Sequence, residues 1–214
     1  MTEITPFWGN EDSSITFCET NYNTSPYIAE YYNTLSGLIY SFVGLYFLNT
    51  NIKPSAYAMI VLGLSTSFFH GTMRYYGQLC DEMSMLYLSF MLIKEIHPNI
   101  PYIYLFGMFG LYGMYWQEFA MFFYMFMLMQ TYIYLLSMEF RKIKENNYYF
   151  VIKEISIYFA MGFWLLDVFL CNYGGEYFHA GWHIFTGISL WSGGKLISNY
   201  KKHELMEIKV LKSE

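Results

Sequence analysis

Charge is what this chain of 214 residues has least of: Asp, Glu, Lys and Arg make up only 14% of it. Soluble domains carry about 25%, so an ordinary soluble globular domain is excluded. Basic residues are scarcer than acidic ones, 12 against 17, for a net charge of −5. With no basic groove, nucleic acid is excluded as a partner. Residues 1–27 hold no Lys or Arg, while Glu3, Glu11, Asp12 and Glu19 make them acidic. They lack the basic start and apolar core of a cleavable signal peptide, so insertion is expected to rely on the first spanning helix. Internal repeats, low-complexity tracts and linkers are absent. One membrane body is therefore expected over residues 28–198, behind an acidic head at 1–27 and before a lysine-containing tail at 199–214.

Apolar residues fill the chain: 55% is hydrophobic and 22% aromatic, with 15 Met and 20 Phe. The fold class expected is an all-α integral membrane protein with seven transmembrane helices. The spans fall at about 28–49, 55–73, 79–96, 100–115, 117–138, 149–171 and 176–198. Most approach the roughly 20 residues that cross a bilayer core. The fourth is short, and its boundary with the fifth lies near Tyr115-Trp116-Gln117-Glu118. The polar stretch at 139–148 is the longest connection. Basic residues collect on cytoplasmic loops. With the N-terminus outside or lumenal and the C-terminus cytoplasmic, Lys53, Lys94, Arg141, Lys142, Lys144, Lys153, Lys195, Lys201, Lys202, Lys209 and Lys212 fall on the cytoplasmic side. Only Arg74 opposes them.

Histidine is also rare, with five in all. Two of them, His179 and His183, are four apart in the last span, one turn above the other on a single helix face. That spacing suits two imidazoles on one metal ion. Chance is the plainer reading of such a pair taken alone. The orientation weighs against it, because His70 ends span 2 and Asp81 starts span 3 at the same outer depth as the pair. A charged Asp inside a span costs roughly 2.5–3.5 kcal/mol and needs a partner. Three imidazoles with an open position is a catalytic zinc arrangement. Asp81 would accept a proton from water or orient a ligating imidazole. Thr66, four residues before His70, would support an oxyanion or bond back to its own helix carbonyl.

These residues carry a resemblance. Thr66-x3-His70, Asp81 and His179-x3-His183 on seven spans resemble the CREST superfamily of seven-helix membrane zinc hydrolases, and the alkaline ceramidases within it most of all. The head adds to the likeness with Trp8-Gly9, then Thr16-Phe17-Cys18-Glu19-Thr20-Asn21-Tyr22, then Tyr27-Ile28-Ala29-Glu30-Tyr31-Tyr32-Asn33-Thr34-Leu35-Ser36. Leu79-Cys80-Asp81-Glu82 and Phe178 to Gly187 extend it over nearly the whole chain. The resemblance implies hydrolysis of the ceramide amide to a sphingoid base and a fatty acid by a multi-pass protein in a membrane of the endoplasmic reticulum or Golgi type. It implies zinc on His70, His179 and His183, with Asp81 and Thr66 catalytic. Thr66 stands where the family has Ser.

The family also binds calcium through its head. The matching positions here are Thr16, Phe17, Glu19, Asn21 and Glu30. Oxygen ligands suit that ion, but Thr16 replaces an Asp and removes an anionic ligand. Asp12 is a candidate to compensate. Capping of the first helix is the other role open to Glu19 and Glu30. The family pattern has cysteines matching Cys18 and Cys171, and the resemblance implies that they pair on the outer side, where disulfides persist. Cys80 reads as an apolar filler. Asp167 is expected to hold helices or the head. The fifth span reads as lipid surface or acyl-tunnel wall. A different lipid hydrolase of the superfamily, an adiponectin-receptor-like signalling protein and a transporter with a coincidental histidine pair are the alternatives.

Overall fold

The computed structural model describes residues 5–115 and 118–211, with side chains as far as Met206. Glu3, the boundary at Trp116–Gln117 and the terminal Lys209 and Lys212 lie outside what can be described of side chains. The described residues are helical, with no strands beyond one isolated bridge between Ser25 and Ile28.

The helices are α1 (Tyr31–Gly37), α2 (Ile39–Phe47), α3 (Lys53–Thr72), α4 (Tyr75–Ile96), α5 (Ile103–Met114), α6 (Phe119–Phe140), α7 (Asn146–Phe169) and α8 (Phe178–Leu211). Each expected span has its helix, but the first is broken. At Leu38 the backbone N–H bonds to the Leu35 carbonyl, three residues back, and the α-helical ladder is interrupted there. The last helix runs past the expected span to Leu211. Lys201 on that extension is tied to Glu95 and to the Asn51 carbonyl, which keeps the segment against the bundle.

Two helices, α6 and α7, are long and apolar enough to cross a membrane. Their outer faces stay uncovered. Leu128 is 73% exposed, Tyr158 73% and Phe169 74%. The interior core lies between α2, α3, α4 and α8, around Phe47, Ile52, Met59, Leu62 and Leu196.

Small residues set the spacing of the first helices. A Cβ on Gly37 would stand 2.8 Å from Thr66 Cγ2, so α1 crosses α3 at van der Waals contact beside Thr66. Gly63 admits Ser41 in the same way. Close crossings at small residues are how apolar helices associate without a hydrophobic driving force between them. The α3–α4 connection is equally tight. Met73 ends α3 in the left-handed region, φ 48°, and Arg74 is already the extended N-cap of α4. That turn brings His70 and Asp81 onto facing helices.

The head, residues 5–30, lies over this end of the bundle. Ala29 and Glu30 donate their N–H groups to the Gly71 and His70 carbonyls, both at 2.9 Å. Tyr22, Ala29, Phe69 and Met73 form a small core beneath it. Cys18 and Cys171 are joined by a disulfide that spans 153 residues of sequence.

Candidate metal and catalytic centre

Three helices contribute to one centre. His70 comes from the last turn of α3, Thr66 from the turn before, Asp81 from α4, and His179 and His183 from the start of α8. One ligand atom from each of the three histidines lies within 4.8 Å of the others. Among the described residues no other group of three His, Cys, Asp or Glu side chains reaches that spacing. The rings are buried, at 1%, 5% and 2% exposure for His70, His179 and His183.

Two of the three imidazoles are hydrogen-bonded from outside through Nδ1, and the third has a carboxylate beside it. Glu30 Oε2 is 2.6 Å from Nδ1 of His70, and Ser36 Oγ is 2.8 Å from Nδ1 of His183. Asp167 Oδ2 is 3.3 Å from Nδ1 of His179, an ion-pair distance without hydrogen-bond alignment. The second nitrogen of each ring is thereby left for a ligand. A carboxylate or hydroxyl on the far nitrogen fixes the tautomer and orientation of metal-binding histidines. Three buried imidazoles so arranged fit zinc.

Thr66 donates its hydroxyl to Asp81 Oδ1 at 2.5 Å. Back-bonding to its own helix is therefore not the role its hydroxyl takes. Phe17 of the head covers the outer side of the histidines, with its ring centroid 3.9 Å from that of His179 and 4.9 Å from that of His70. On the other side a cavity opens. Thr66, Asp81, Glu82 and the three histidines line its polar end, and Phe119, Phe122, Phe123, Phe126 and Met127 of α6 face Met161 and Trp164 of α7 along the rest.

The head residues divide. Both carboxylate oxygens of Glu19 accept N–H groups at the start of α1, from Tyr32 at 2.7 Å and Asn33 at 2.9 Å. Glu19 thus caps that helix through space. Burial pushes its carboxyl above the usual range, opposed by those two donors. Glu30 also accepts from Asn33 Nδ2 at 3.0 Å. Asn21 Nδ2 bonds to Glu11. Asn21 Oδ1, Glu30 Oε1 and Asn33 Oδ1 are buried oxygens with no hydrogen-bond partner, the atom type that a hard cation such as calcium takes. Thr16 and Phe17 immediately precede Cys18, the head's covalent anchor. Asp12 is engaged elsewhere, 2.7 Å from the Arg74 guanidinium and 2.6 Å from the Tyr75 N–H.

Asp167 does hold the head, accepting the Cys18 N–H at 3.0 Å, and also stands beside His179. Cys80 is free and exposed instead of filling the core, because one helical step turns it away from the face that carries Asp81. Sequence reasoning did not find Ser36, Asn33 or Glu11. A Ser or Asn in an apolar helix is the signal that points to the first two.

The profile of the ceramidase family matches residues 9–207, from the head through most of α8. This chain belongs to the alkaline ceramidase family. It is 34% identical over 110 residues to the putative alkaline ceramidase dcd3A of Dictyostelium discoideum, a stretch covering 40% of this chain and 38% of that one. It is 35% identical over 88 residues to the alkaline ceramidase YPC1 of Saccharomyces cerevisiae, covering 37% and 28% respectively. The chain thus spans well under half the length of either relative. Mouse alkaline ceramidase 3 is matched at 25% identity over 232 residues, 85% of this chain and 81% of that protein. The residues of this chain that the family profile matches include both the head network and the three histidines.

Proposed function

We propose that this protein is a seven-span integral membrane amidase that hydrolyses ceramide, or a close sphingolipid relative, to a sphingoid base and a fatty acid. The observation that carries the reading is the buried histidine triad beside the Thr66–Asp81 pair, at the polar end of an aromatic-lined cavity. Family membership supports the substrate class. The N-terminus faces outside or the lumen. Lys53 begins α3 and His70 lies in its last turn, which puts them about 25 Å apart along the axis at 1.5 Å per residue. Lys94 and Lys201 lie at the Lys53 end, near Glu95 and Asn51. The basic end and the histidine end are therefore nearly a hydrocarbon thickness apart, with the histidines toward the outer leaflet.

His70, His179 and His183 would hold zinc, which when bound polarises the amide carbonyl and makes water more acidic. Asp81 takes the proton from the attacking water as its oxygen adds to the carbonyl carbon. It then delivers that proton to the amine nitrogen as the C–N bond breaks. Thr66 donates its one hydroxyl proton to Asp81 and holds the carboxylate in place; once Asp81 has taken the water proton, that hydroxyl is free to turn toward the developing oxyanion. Phe17 and the head exclude bulk water from the outer side. The acyl chain lodges against α6 and α7, where Phe123 and Trp164 stack at 6.3 Å across the wall. The lipid reaches the cavity laterally between helices. Calcium would bind the head through Glu19, Asn21 and Glu30 and the backbone carbonyl of Phe17, with Thr16 supplying no anionic ligand, and would hold the head over the histidines.

The test is release of free sphingoid base from ceramides by purified protein, with zinc content measured in the same samples. Wild type should release base and carry about one zinc per chain, and His183→Ala should do neither while remaining folded. Full activity in His183→Ala would remove the proposed mechanism.

A further inference from the structure

A second carboxylate lines the cavity, and the proposed chemistry does not use it. Glu82 follows Asp81 on α4 and is only 3% exposed. Successive Cα atoms are about 3.8 Å apart and step about 100° around a helix. Asp81 consequently faces Thr66 on α3, while Glu82 faces α5, where it accepts the Tyr112 hydroxyl. Glu82 also accepts Gln78 Nε2 at 2.8 Å, and Gln78 in turn takes the Ser14 N–H of the head at 2.8 Å. An ionised carboxylate offers about four acceptor positions, and these two donors fill half of them. The wall beyond is aromatic: Phe119, Phe122 and Phe126. A charge set into such a wall is costly unless its acceptors are filled.

We propose that Glu82 is a specificity residue that accepts a hydrogen bond from a hydroxyl on the carbon next to the one bearing the nitrogen of the bound lipid. This rests on the amidase reading for the class of lipid. The geometry is that of two carboxylates bounding one cavity from adjacent positions of one helix. A lipid whose amide lies at Asp81 places a polar group one or two bonds away within reach of Glu82. A simple fatty amide leaves the free acceptors of Glu82 buried and unmatched. A vicinal amido alcohol fills one of them.

The probes are sphinganine, 1-deoxysphinganine and 3-deoxysphinganine, which carry no amide bond and are not consumed. Their binding to the purified full chain is read from the emission of Trp164 and Trp182, which line the cavity. Loss of the recognised hydroxyl should weaken binding roughly tenfold or more, as for a hydrogen bond to a charged group. The two deoxy probes tell which hydroxyl is read. Glu82→Gln should bring the three probes closer together. Tyr112→Phe, which loosens α5 but keeps the carboxylate, should preserve the difference. Equal binding of all three probes by wild type overturns the proposal, and needs no variant to be folded. So does an undiminished difference in Glu82→Gln, or a loss in Tyr112→Phe as complete as in Glu82→Gln. Hydrolysis of N-acyl sphinganine is scored separately. Discrimination without hydrolysis would reject the amidase reading and leave this one standing.

Discussion

Replacing Gly37 by Ala tests how the catalytic pair is held. The new Cβ would stand 2.8 Å from Thr66 Cγ2, 3.2 Å from Thr66 Cβ and 3.3 Å from the Ser67 nitrogen. The first contact is far inside van der Waals range, so α1 or Thr66 must shift. Overpacking of this kind costs typically about 1–3 kcal/mol. Better helix propensity returns up to about 1 kcal/mol of that. The functional effect should exceed the effect on stability, because the displaced residue is the one whose hydroxyl lies 2.5 Å from Asp81. A misplacement near 1 Å in a catalytic constellation can cost about 100-fold in rate. The decisive variant is Gly37→Ala combined with Thr66→Ser. Serine removes the methyl that clashes most and keeps the hydroxyl. Thermal unfolding in detergent and sphingoid-base release should both recover toward the Thr66→Ser single variant, with a coupling energy of about 0.5–3 kcal/mol in the double-mutant cycle. A double variant no better than Gly37→Ala alone would refute the reasoning, since the close approach would not be acting through Thr66.

Asp81→Asn should keep its zinc yet lose roughly 100- to 10,000-fold in kcat; metal analysis beside the rate distinguishes this from site collapse. Ser36→Ala removes the partner of His183 Nδ1, and competition against a chelator should show zinc held roughly 10- to 100-fold more weakly. Cys18→Ser removes the covalent tie between the head and the segment that follows α7 and should lower stability by about 2–5 kcal/mol. It should also lower activity, because Phe17 no longer shields His70 and His179; unchanged hydrolysis would separate the head from catalysis. Acceptor sites for glycosylation should be modified when placed in the head and left unmodified at the end of α8, and the reverse pattern would overturn the orientation.

Much of the molecule follows from the order of residues alone. Helical runs, the facing of His179 and His183, and the acidic head against a basic tail are local or additive properties. A 3.6-residue period and a count of lysines need no knowledge of what packs where. The break at Leu38 is less visible, since an apolar run reads the same whether or not one hydrogen bond in its ladder is lost. Tertiary structure alone decided which group holds which. Ser36 reaches His183 across 147 residues and Glu30 reaches His70 across 40. A carboxyl such as that of Glu30 is equally suited to capping a helix, as Glu19 does. Asp12 was available to the head's polar cluster until Arg74 took it. Glu82 and Asp81 are neighbours in sequence, yet helix geometry and the positions of α3 and α5 send one to Thr66 and the other to Tyr112. Partners so distant in the chain are chosen by how closely the helices approach. That approach is set by small residues such as Gly37 and Gly63 meeting a particular neighbour, a pairing that no local pattern encodes.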